Sequence, residues 1–275
     1  MRALRIAAYV LVAVMAVFGA AFAGVQTSAG KRLLASLASN LASSPGQQIR
    51  ISGIDGFVPT DLRVARIEIA DRTGPWLRVD DARIAWSFAS LLQRRLRIEL
   101  LSATKVGVLR APQEEKKEST PSGGRLQLPF DIDLQALQLD DLHLASALGG
   151  VDSHWKIGGE AAVARDLGEI SAKLAADRLE GPKGTLTADV RLERAPRRIA
   201  AEITLDEASG GIVAALIQRP DLPGVSLKLS ARGDERDGTA QLTAKAGDTA
   251  TARGNLRWMP DGNETGFQAG IDAGP

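Results

Sequence analysis

Beyond residue 48, apolar and polar residues alternate with a period of two along most of the chain. The alternation is clear in LRIEL (96–100), LQLPFDIDL (126–134) and LTADVRL (186–192). A strand with this pattern has one apolar face and one polar face, because successive side chains point to opposite sides. The pattern therefore predicts a mainly β fold, an elongated sheet of antiparallel type with few short helices.

Two local features interrupt the alternation in the first strands. Between Val64 and Ile67 two residues intervene instead of one, so the apolar side would change unless the chain bulges at Ala65 or Arg66. We therefore expect a bulge there. The segment SFASLLQR (87–94) has the spacing of a helix, although of barely two turns.

A polar segment divides the strand region in two. Residues 111–125 are charged, rich in Pro, Gly and Ser, and free of large apolar residues. This composition favours a disordered loop. It separates a first β block at 49–110 from a continuing β region at 126–275. Because the pattern stops without an evident end, we expect the chain to be a fragment of something longer.

The amino-terminal region has the length of a membrane span. Residues 6–25 carry no charge, and such a helix reaches about 30 Å, the thickness of one hydrocarbon core. We expect 1–25 to be an uncleaved transmembrane anchor; a cleaved signal peptide is the alternative, because residues 21–23 have the A-x-A form. Leucines recur on one helical face within 26–48, which predicts an amphipathic helix or linker.

Composition excludes several function classes. The 34 basic and 33 acidic side chains give a formal charge of +1, so no basic footprint for nucleic acid is present. The absence of cysteine excludes disulfides, thiolate nucleophiles and Cys-containing zinc sites, and two histidines offer little for other metals. We expect no cofactor, no metal and no nucleic-acid partner.

Short matches to catalytic motifs have no supporting context. The S-x-x-K pattern occurs at 102–105 and 153–156 without the companion elements of serine acyl enzymes. Asp140 and Asp141 stand near His143, but alternation with the neighbouring leucines places His143 on a polar, solvated face. No catalytic residues are assigned, and we expect the protein not to be an enzyme.

The apolar side of the strands needs a cover, and the sequence offers almost no helix to supply one. Either a second sheet covers it, or the sheet curls into a groove whose aliphatic lining suits acyl chains; periodicity alone leaves both open. The candidate groove-lining residues are Ile67, Ile69, Leu77, Val79, Ile84, Ile98, Leu100, Leu128, Phe130, Ile132 and Leu134. Their polar neighbours, such as Arg97, Glu99, Asp131 and Asp133, are expected to face water.

Several motifs in the first 111 residues carry a family resemblance. They are GIDG (53–56), DRTGPWLRVD (71–80), AWS (85–87) and LRIELLSA (96–103), preceded by the apolar segment and by TSAG (27–30). This region resembles the amino-terminal region of TamB proteins, members of the AsmA-like group of bridge-like lipid transfer proteins. Residues 126–275 match only in general character.

The resemblance implies a single-pass protein of the bacterial inner membrane, with most of its chain in the periplasm. It implies a long, curled sheet (a β-taco) whose apolar groove conducts phospholipid toward the outer membrane. The resemblance also implies an outer-membrane barrel partner of the Omp85 type, which we expect to be bound through a carboxy-terminal region outside this sequence. The alternative function is a scaffold for outer-membrane protein assembly and secretion that binds barrel precursors by strand addition.

Overall fold

The computed structural model of the protein describes residue 27 and residues 48–57, 60–113, 128–194, 197–234, 236–248, 250–261 and 264–274. The expected anchor (1–25), nearly all of the amphipathic segment (26–48) and most of the expected loop (111–125) lie outside this set. The described elements are the strands β1 (Gln48–Phe57), β2 (Asp61–Asp71), β3 (Gly74–Ser87), β4 (Arg95–Val108), β5 (Asp131–Leu144), β6 (Ser153–Val163), β7 (Glu169–Arg178), β8 (Gly184–Arg194), β9 (Arg197–Glu207), β10 (Val225–Asp234), β11 (Gly238–Ala246), β12 (Ala250–Asp261) and β13 (Glu264–Gly274), and the helices α1 (Phe88–Leu91), α2 (Ser146–Gly149) and α3 (Ile212–Leu216).

All thirteen strands form one open sheet in which spatial order follows chain order from β1 to β13. The predicted mainly β architecture with few short helices is confirmed, and α1 lies within the segment expected to be helical. Both β blocks expected from the sequence belong to this one sheet.

One strand pair departs from the antiparallel arrangement that the sequence led us to expect. β4 and β5 are parallel, whereas the other neighbouring pairs are antiparallel. A parallel pair requires a connection that returns along the full strand length. Residues 109–130, which include the polar segment of the sequence, separate β4 from β5 and are numerous enough for such a connection.

The two faces of the sheet differ sharply in chemistry. Directly opposed residues of neighbouring strands share a face, so cross-strand pairing identifies each face. One row crosses all thirteen strands with only aliphatic residues and glycine: Gly56, Leu62, Ile84, Leu101, Leu137, Gly159, Leu174, Ala188, Ile203, Leu229, Leu242, Gly254 and Ile271. We call the side with this row the apolar face, and the other side the charged face.

Extra residues keep the apolar face continuous through the first five strands. Leu139 and Leu142 stand opposite Ile157 and Trp155, which are two residues apart and therefore share a face. Corresponding three-residue steps recur in β1 to β4, so the pairing between those strands stays aligned. In β2 this step is the one from Val64 to Ile67. The bulge expected there is not found, because β1 and β3 make the same step and the register stays unshifted; the register shift between β2 and β3 lies at Ile69 and Ala70.

One end of the apolar face is closed by the two helices that follow β5 and β9. Gly150, which ends α2 in a left-handed conformation with φ of 77°, lies against Ala215 of α3. Trp155 and Val225, at the same end of the sheet, are buried. This small core, which we call the capped end, is where protein side chains cover the sheet.

Candidate functional site

The apolar face outside the capped end is the most extensive feature that could bind a ligand. A second row, parallel to the first, crosses ten strands: Ala103, Leu139, Ile157, Ala176, Leu186, Leu205, Leu227, Ala244, Ala252 and Ala273. Its side chains are also aliphatic. The two rows therefore form a band without hydrogen-bonding side chains that runs across the strands.

Side-chain exposure shows that no second layer covers this band. Leu174 and Leu242, both in the first row, are 39% and 44% exposed. Within the described residues only five apolar side chains are buried: Trp155, Ala214 and Val225 belong to the capped end, and Ala103 and Ala176 are small residues of the second row. A closed sandwich would bury the inward leucines of a central strand almost completely. The described sheet is therefore open on its apolar side.

Eight of the eleven candidate groove residues lie on the apolar face. Cross-strand pairs bring them together across the first five strands, and these pairs join Ile69 with Leu77, Ile67 with Val79, Ile84 with Leu101, and Ile98 with Leu134. Ile132 stands opposite Leu96 in the same set. Leu128 and Phe130 precede β5, in a segment tied to the turn after β6 by the bond from Leu128 N to Arg165 O (2.7 Å).

Leu100 is on the charged face instead, which corrects the expectation from the sequence. The pairing register between β3 and β4 shifts at Ala85 and Trp86, so Leu100 stands opposite Ala85 and Ile98 stands opposite Trp86. Ala85 and Trp86 are consecutive and point to opposite faces. Strict alternation along β4 therefore fails at Glu99, where an extra residue is inserted.

The charged face is organised by ion pairs between neighbouring strands. Arg83 donates to both carboxylate oxygens of Asp61 at 2.8 and 2.9 Å, and Arg66 Nε lies 2.7 Å from Asp80 Oδ1. The hydrogen bond from Arg83 holds the pKa of Asp61 below its usual value. Such partly exposed pairs contribute little stability but keep this side of the sheet hydrated.

The two histidines of the chain meet on the charged face. The rings of His143 and His154 are stacked with centroids 4.5 Å apart, and His154 Nδ1 lies 2.7 Å from Asp141 Oδ1. Pairing of β5 with β6 brings His143 opposite His154, a juxtaposition that the sequence did not show. In the described part of the chain no set of three or more acidic or histidine side chains is arranged to hold a metal ion.

The two serines of the S-x-x-K patterns lie in different surroundings. Ser102 lies within β4, opposite Arg83 on the charged face, and not at a helix start. Ser153 is buried at the start of β6, with its hydroxyl lacking a hydrogen-bond partner. Neither position presents the serine at a helix start, which that mechanism requires.

The largest part of the apolar face was missing from the residues singled out in the sequence. Residues of β7 to β13, such as Leu174, Ile203, Leu229 and Leu242, extend it over seven further strands. The period of two in those segments predicted the strands. Their alanines and glycines made the inward positions less conspicuous than the leucines and isoleucines of the first block.

Comparisons of the chain with protein-family models, with curated proteins and with solved structures find no match. In the described part of the chain no helix has both the length and the apolar character needed to cross a bilayer.

Proposed function

We propose that this protein is an anchored periplasmic bridge whose apolar face carries phospholipid from the inner membrane toward the outer membrane. One observation supports this most directly: a row of aliphatic residues and glycines crosses all thirteen strands, and with a second row over ten of them it forms a band that no second layer covers. Apolar area of this extent is costly in water at about 25 cal/mol per Å². Acyl chains lying on the band would remove it from water.

The chemistry of the band favours acyl chains over polar ligands. Its rows contain Leu, Ile, Ala and Gly, and the polar and charged residues that alternate with them along the strands point to the other side. A ligand on such a surface gains from apolar burial and forms few specific hydrogen bonds. In the proposal the sheet curls about this band, so that headgroups remain hydrated at the edges of a groove while the chains are shielded.

The remaining parts of the proposal come from the sequence. The uncharged segment 6–25 supplies the inner-membrane anchor, and the likeness to TamB proteins supports a periplasmic location and an outer-membrane barrel partner of the Omp85 type. The role is conduction and not catalysis, and it involves no cofactor. Outer-membrane biogenesis is the process that such a bridge would support.

Photocrosslinking in cells tests the proposal with adjacent residues as matched controls. A crosslinking amino acid is placed at Leu174 or Leu242 on the apolar face, and at Lys173 or Gln241 on the charged face. Each apolar position has a control one residue away, with the same depth along the groove. We expect phospholipid adducts, identified by mass spectrometry, at Leu174 and Leu242 and none at Lys173 and Gln241.

The same experiment distinguishes the lipid conduit from the second candidate function, a scaffold for outer-membrane protein assembly. β13 lies at one edge of the described sheet, with the side chains of Phe267 and Ile271 exposed; an exposed edge favours strand addition by an extended polypeptide. Polypeptide adducts at β13 without lipid adducts at Leu174 would favour the assembly scaffold. Equal lipid labelling of both faces would contradict the conduit.

A further inference from the structure

The connection between β3 and β4 exposes large apolar side chains at the end of the sheet opposite the capped end. It spans residues 88–94, includes α1, and is the longest connection between antiparallel neighbours at this end. Phe88 and Leu92 are 58% and 85% exposed there. Large apolar side chains exposed side by side indicate an interaction surface. We call residues 88–95 the α1 turn.

Hydrogen bonds to the sheet fix the direction in which these two side chains point. Ser90 Oγ donates to Ser87 O at 2.7 Å and accepts from Arg97 N at 3.3 Å, so the Ser90 side of α1 is attached to the strands. Phe88 and Leu92 are each two residues from Ser90, which is about 200° around a helix axis. They therefore lie on the side of the turn away from this attachment.

Two arginines follow the apolar pair directly. Arg94 and Arg95 are exposed, and among the described residues neither forms an ion pair. Asp131 stands opposite Arg95, but it is half-buried and its Oδ1 accepts from a backbone amide of the turn after β6 at 2.9 Å. The charge that the α1 turn presents to its surroundings is consequently positive.

The backbone of Arg94 adopts a conformation that disfavours arginine. Its φ of 56° is left-handed, which glycine or asparagine adopts more easily than other residues. Hydrogen bonds hold it there, from Arg94 N to Leu91 O at 2.9 Å and from Asp131 N to Arg94 O at 3.0 Å. An arginine at this position is therefore better explained by its side chain than by its backbone preference.

We propose that the α1 turn docks on the surface of an anionic phospholipid bilayer. Phe88 and Leu92 insert at the boundary of headgroups and acyl chains, and Arg94 and Arg95 contact lipid phosphates. Exposed apolar side chains next to arginines are typical of membrane-surface segments. This docking orients the sheet on the membrane, and it does not depend on conduction of lipid along the apolar band.

The position of α1 in the sheet indicates which bilayer is bound. Neighbouring strands are about 4.8 Å apart, so α1, between β3 and β4, lies about 10–15 Å along the sheet from β1. β1 is the first strand after the expected anchor at 6–25. We therefore identify the bilayer with the one that this anchor would cross.

The cap helix α3 offers a matched comparison. Leu216 and Ile217 are 61% and 53% exposed. The neighbouring Arg219, however, binds both carboxylate oxygens of Asp221 through Nε and Nη2 at 3.1 Å. α3 follows β9 and lies about 40 Å along the sheet from β1. With its charge neutralised and at this distance, α3 should not dock.

A fluorescent probe on the full chain tests the docking. Because the chain contains no cysteine, Gln93→Cys or Gln218→Cys provides a single labelling position, exposed in the α1 turn or just after α3. The labelled protein is reconstituted in vesicles of phosphatidylcholine and phosphatidylglycerol, some of which carry a headgroup quencher. We expect quenching at position 93, weakened by salt, and little quenching at position 218.

Charge and apolar contact are tested separately with the probe at position 93. Arg94→Gln with Arg95→Gln should lower the ratio of docked to undocked protein about tenfold or more, because each arginine near an anionic surface contributes roughly fivefold. Phe88→Gln with Leu92→Gln should lower the ratio as well, since the inserted area is lost. Quenching that neither pair of substitutions changes would overturn the docking.

A control removes the same charge from a distant strand. Arg253→Gln with Arg257→Gln changes two exposed arginines of β12 and should leave the quenching unchanged. An equal loss in this control would show general electrostatic attraction and contradict the inference. Equal quenching in vesicles of phosphatidylcholine alone would do the same. A photocrosslinker at Leu92 that captures polypeptide in cells in place of lipid would indicate a protein partner and also overturn the docking.

The result is distinguishable from that of the proposed function. Lipid adducts from the crosslinker at Leu242, combined with no quenching at position 93, would overturn the docking and leave the conduit intact. Quenching at position 93 without lipid adducts at Leu242 would support the docking and contradict the conduit. Failure of both measurements would overturn both.

Discussion

Arg178 Nη1 lies 3.4 Å from Glu207 Oε1, and the two side chains are only 3% and 2% exposed, on the otherwise apolar side of the sheet. Glu207 also accepts hydrogen bonds from Ile212 N at 2.6 Å and Val213 N at 2.9 Å. One carboxylate thus accepts hydrogen bonds from the first turn of α3 and pairs with the buried arginine of β7. The pair therefore connects α3 to the sheet at the capped end.

Removing one member of this pair should destabilise the fold strongly. Glu207→Ala leaves the Arg178 charge buried without a partner and removes the acceptor for the start of α3. Breaking a buried pair in this way costs about 3–5 kcal/mol. Denaturant unfolding of the purified variant, followed by circular dichroism, measures the loss.

Two further variants show whether the burial of the pair is the cause. Arg178→Met combined with Glu207→Leu should be more stable than Glu207→Ala, because no unpaired charge remains. Asp80→Asn, which breaks the exposed pair with Arg66, should have a far smaller effect. A Glu207→Ala protein as stable as the wild type would contradict this account of the capped end.

A charge on the open part of the apolar face should leave the stability of the fold nearly unchanged but weaken lipid binding. Leu242 is 44% exposed, so the carboxylate of Leu242→Asp can reach water and the thermal midpoint should change little. Copurified phospholipid, measured by mass spectrometry, should nevertheless fall, because an ionised group interrupts the apolar band. Unchanged lipid content would argue against binding on this face.

Trp155→Ala, at a buried position of the same sheet, should in contrast destabilise the protein strongly. The indole is 6% exposed and reaches across to Gly184 of β8. Its truncation leaves a cavity in the capped end and should cost about 3–5 kcal/mol. If Leu242→Asp were as destabilising as Trp155→Ala, the apolar face would be an ordinary closed core.

The sequence predicted the strands and the two faces because a period of two is a local property. It placed Ile67, Val79 and Ile132 on the correct side. It failed at Leu100, since the extra residue at Glu99 changes the face and only the partner strand shows where the register shifts. Alternation along one strand contains no information about such shifts in pairing.

Contacts between residues far apart in the chain could not be predicted from the sequence either. The parallel pairing of β4 with β5 depends on where the chain re-enters the sheet after β4. The contact between Arg178 and Glu207 depends on the ends of β7, β8 and β9 lying next to one another. A buried arginine looks like any other charged residue at a strand terminus. Only the covering helix α3 distinguishes Glu207 from its exposed neighbours.

Glycine at position 238 is required by the packing of Trp258. Gly238 stands opposite Trp258 in β12, and a Cβ atom there would overlap the indole ring. Trp258 is itself fixed by the bond from its Nε1 to Asp234 O at 2.6 Å. Gly238→Ala should therefore destabilise the protein by about 1–3 kcal/mol through overpacking, as measured by denaturant unfolding.

Gly270→Ala is the matched control for that substitution. A Cβ at Gly270 would meet no atom within 4 Å. Its effect on the free energy of unfolding should be close to zero or slightly stabilising, because alanine restricts the unfolded chain. Similar losses for both variants would mean that backbone freedom, and not Trp258, determines the requirement at Gly238.

The turn between β2 and β3 should lose stability in acid. Asp71 binds Arg110, whose Nη2 lies 2.6 Å from Oδ1 and whose Nη1 lies 2.8 Å from Oδ2, and it also accepts from Gln113 N and Thr73. The hydrogen bonds from Arg110, followed by those from Gln113 and Thr73, hold the pKa of Asp71 far below its usual value. The ionised carboxylate is therefore favoured by the folded state.

A folded-state pKa below the unfolded one gives stability that is complete above the unfolded pKa of about 4 and is lost as pH falls toward the folded pKa. Asp71→Asn lacks this contribution at every pH. The wild type should therefore melt at a higher temperature than Asp71→Asn near neutral pH, and the gap should narrow as the pH is lowered below about 4. Arg110→Gln, which removes the main donor, should lower the melting temperature near neutral pH in the same direction. Melting curves recorded by circular dichroism from neutral to acidic pH measure the gap, and one that stayed constant into acid would show that the ionisation of Asp71 does not stabilise this turn.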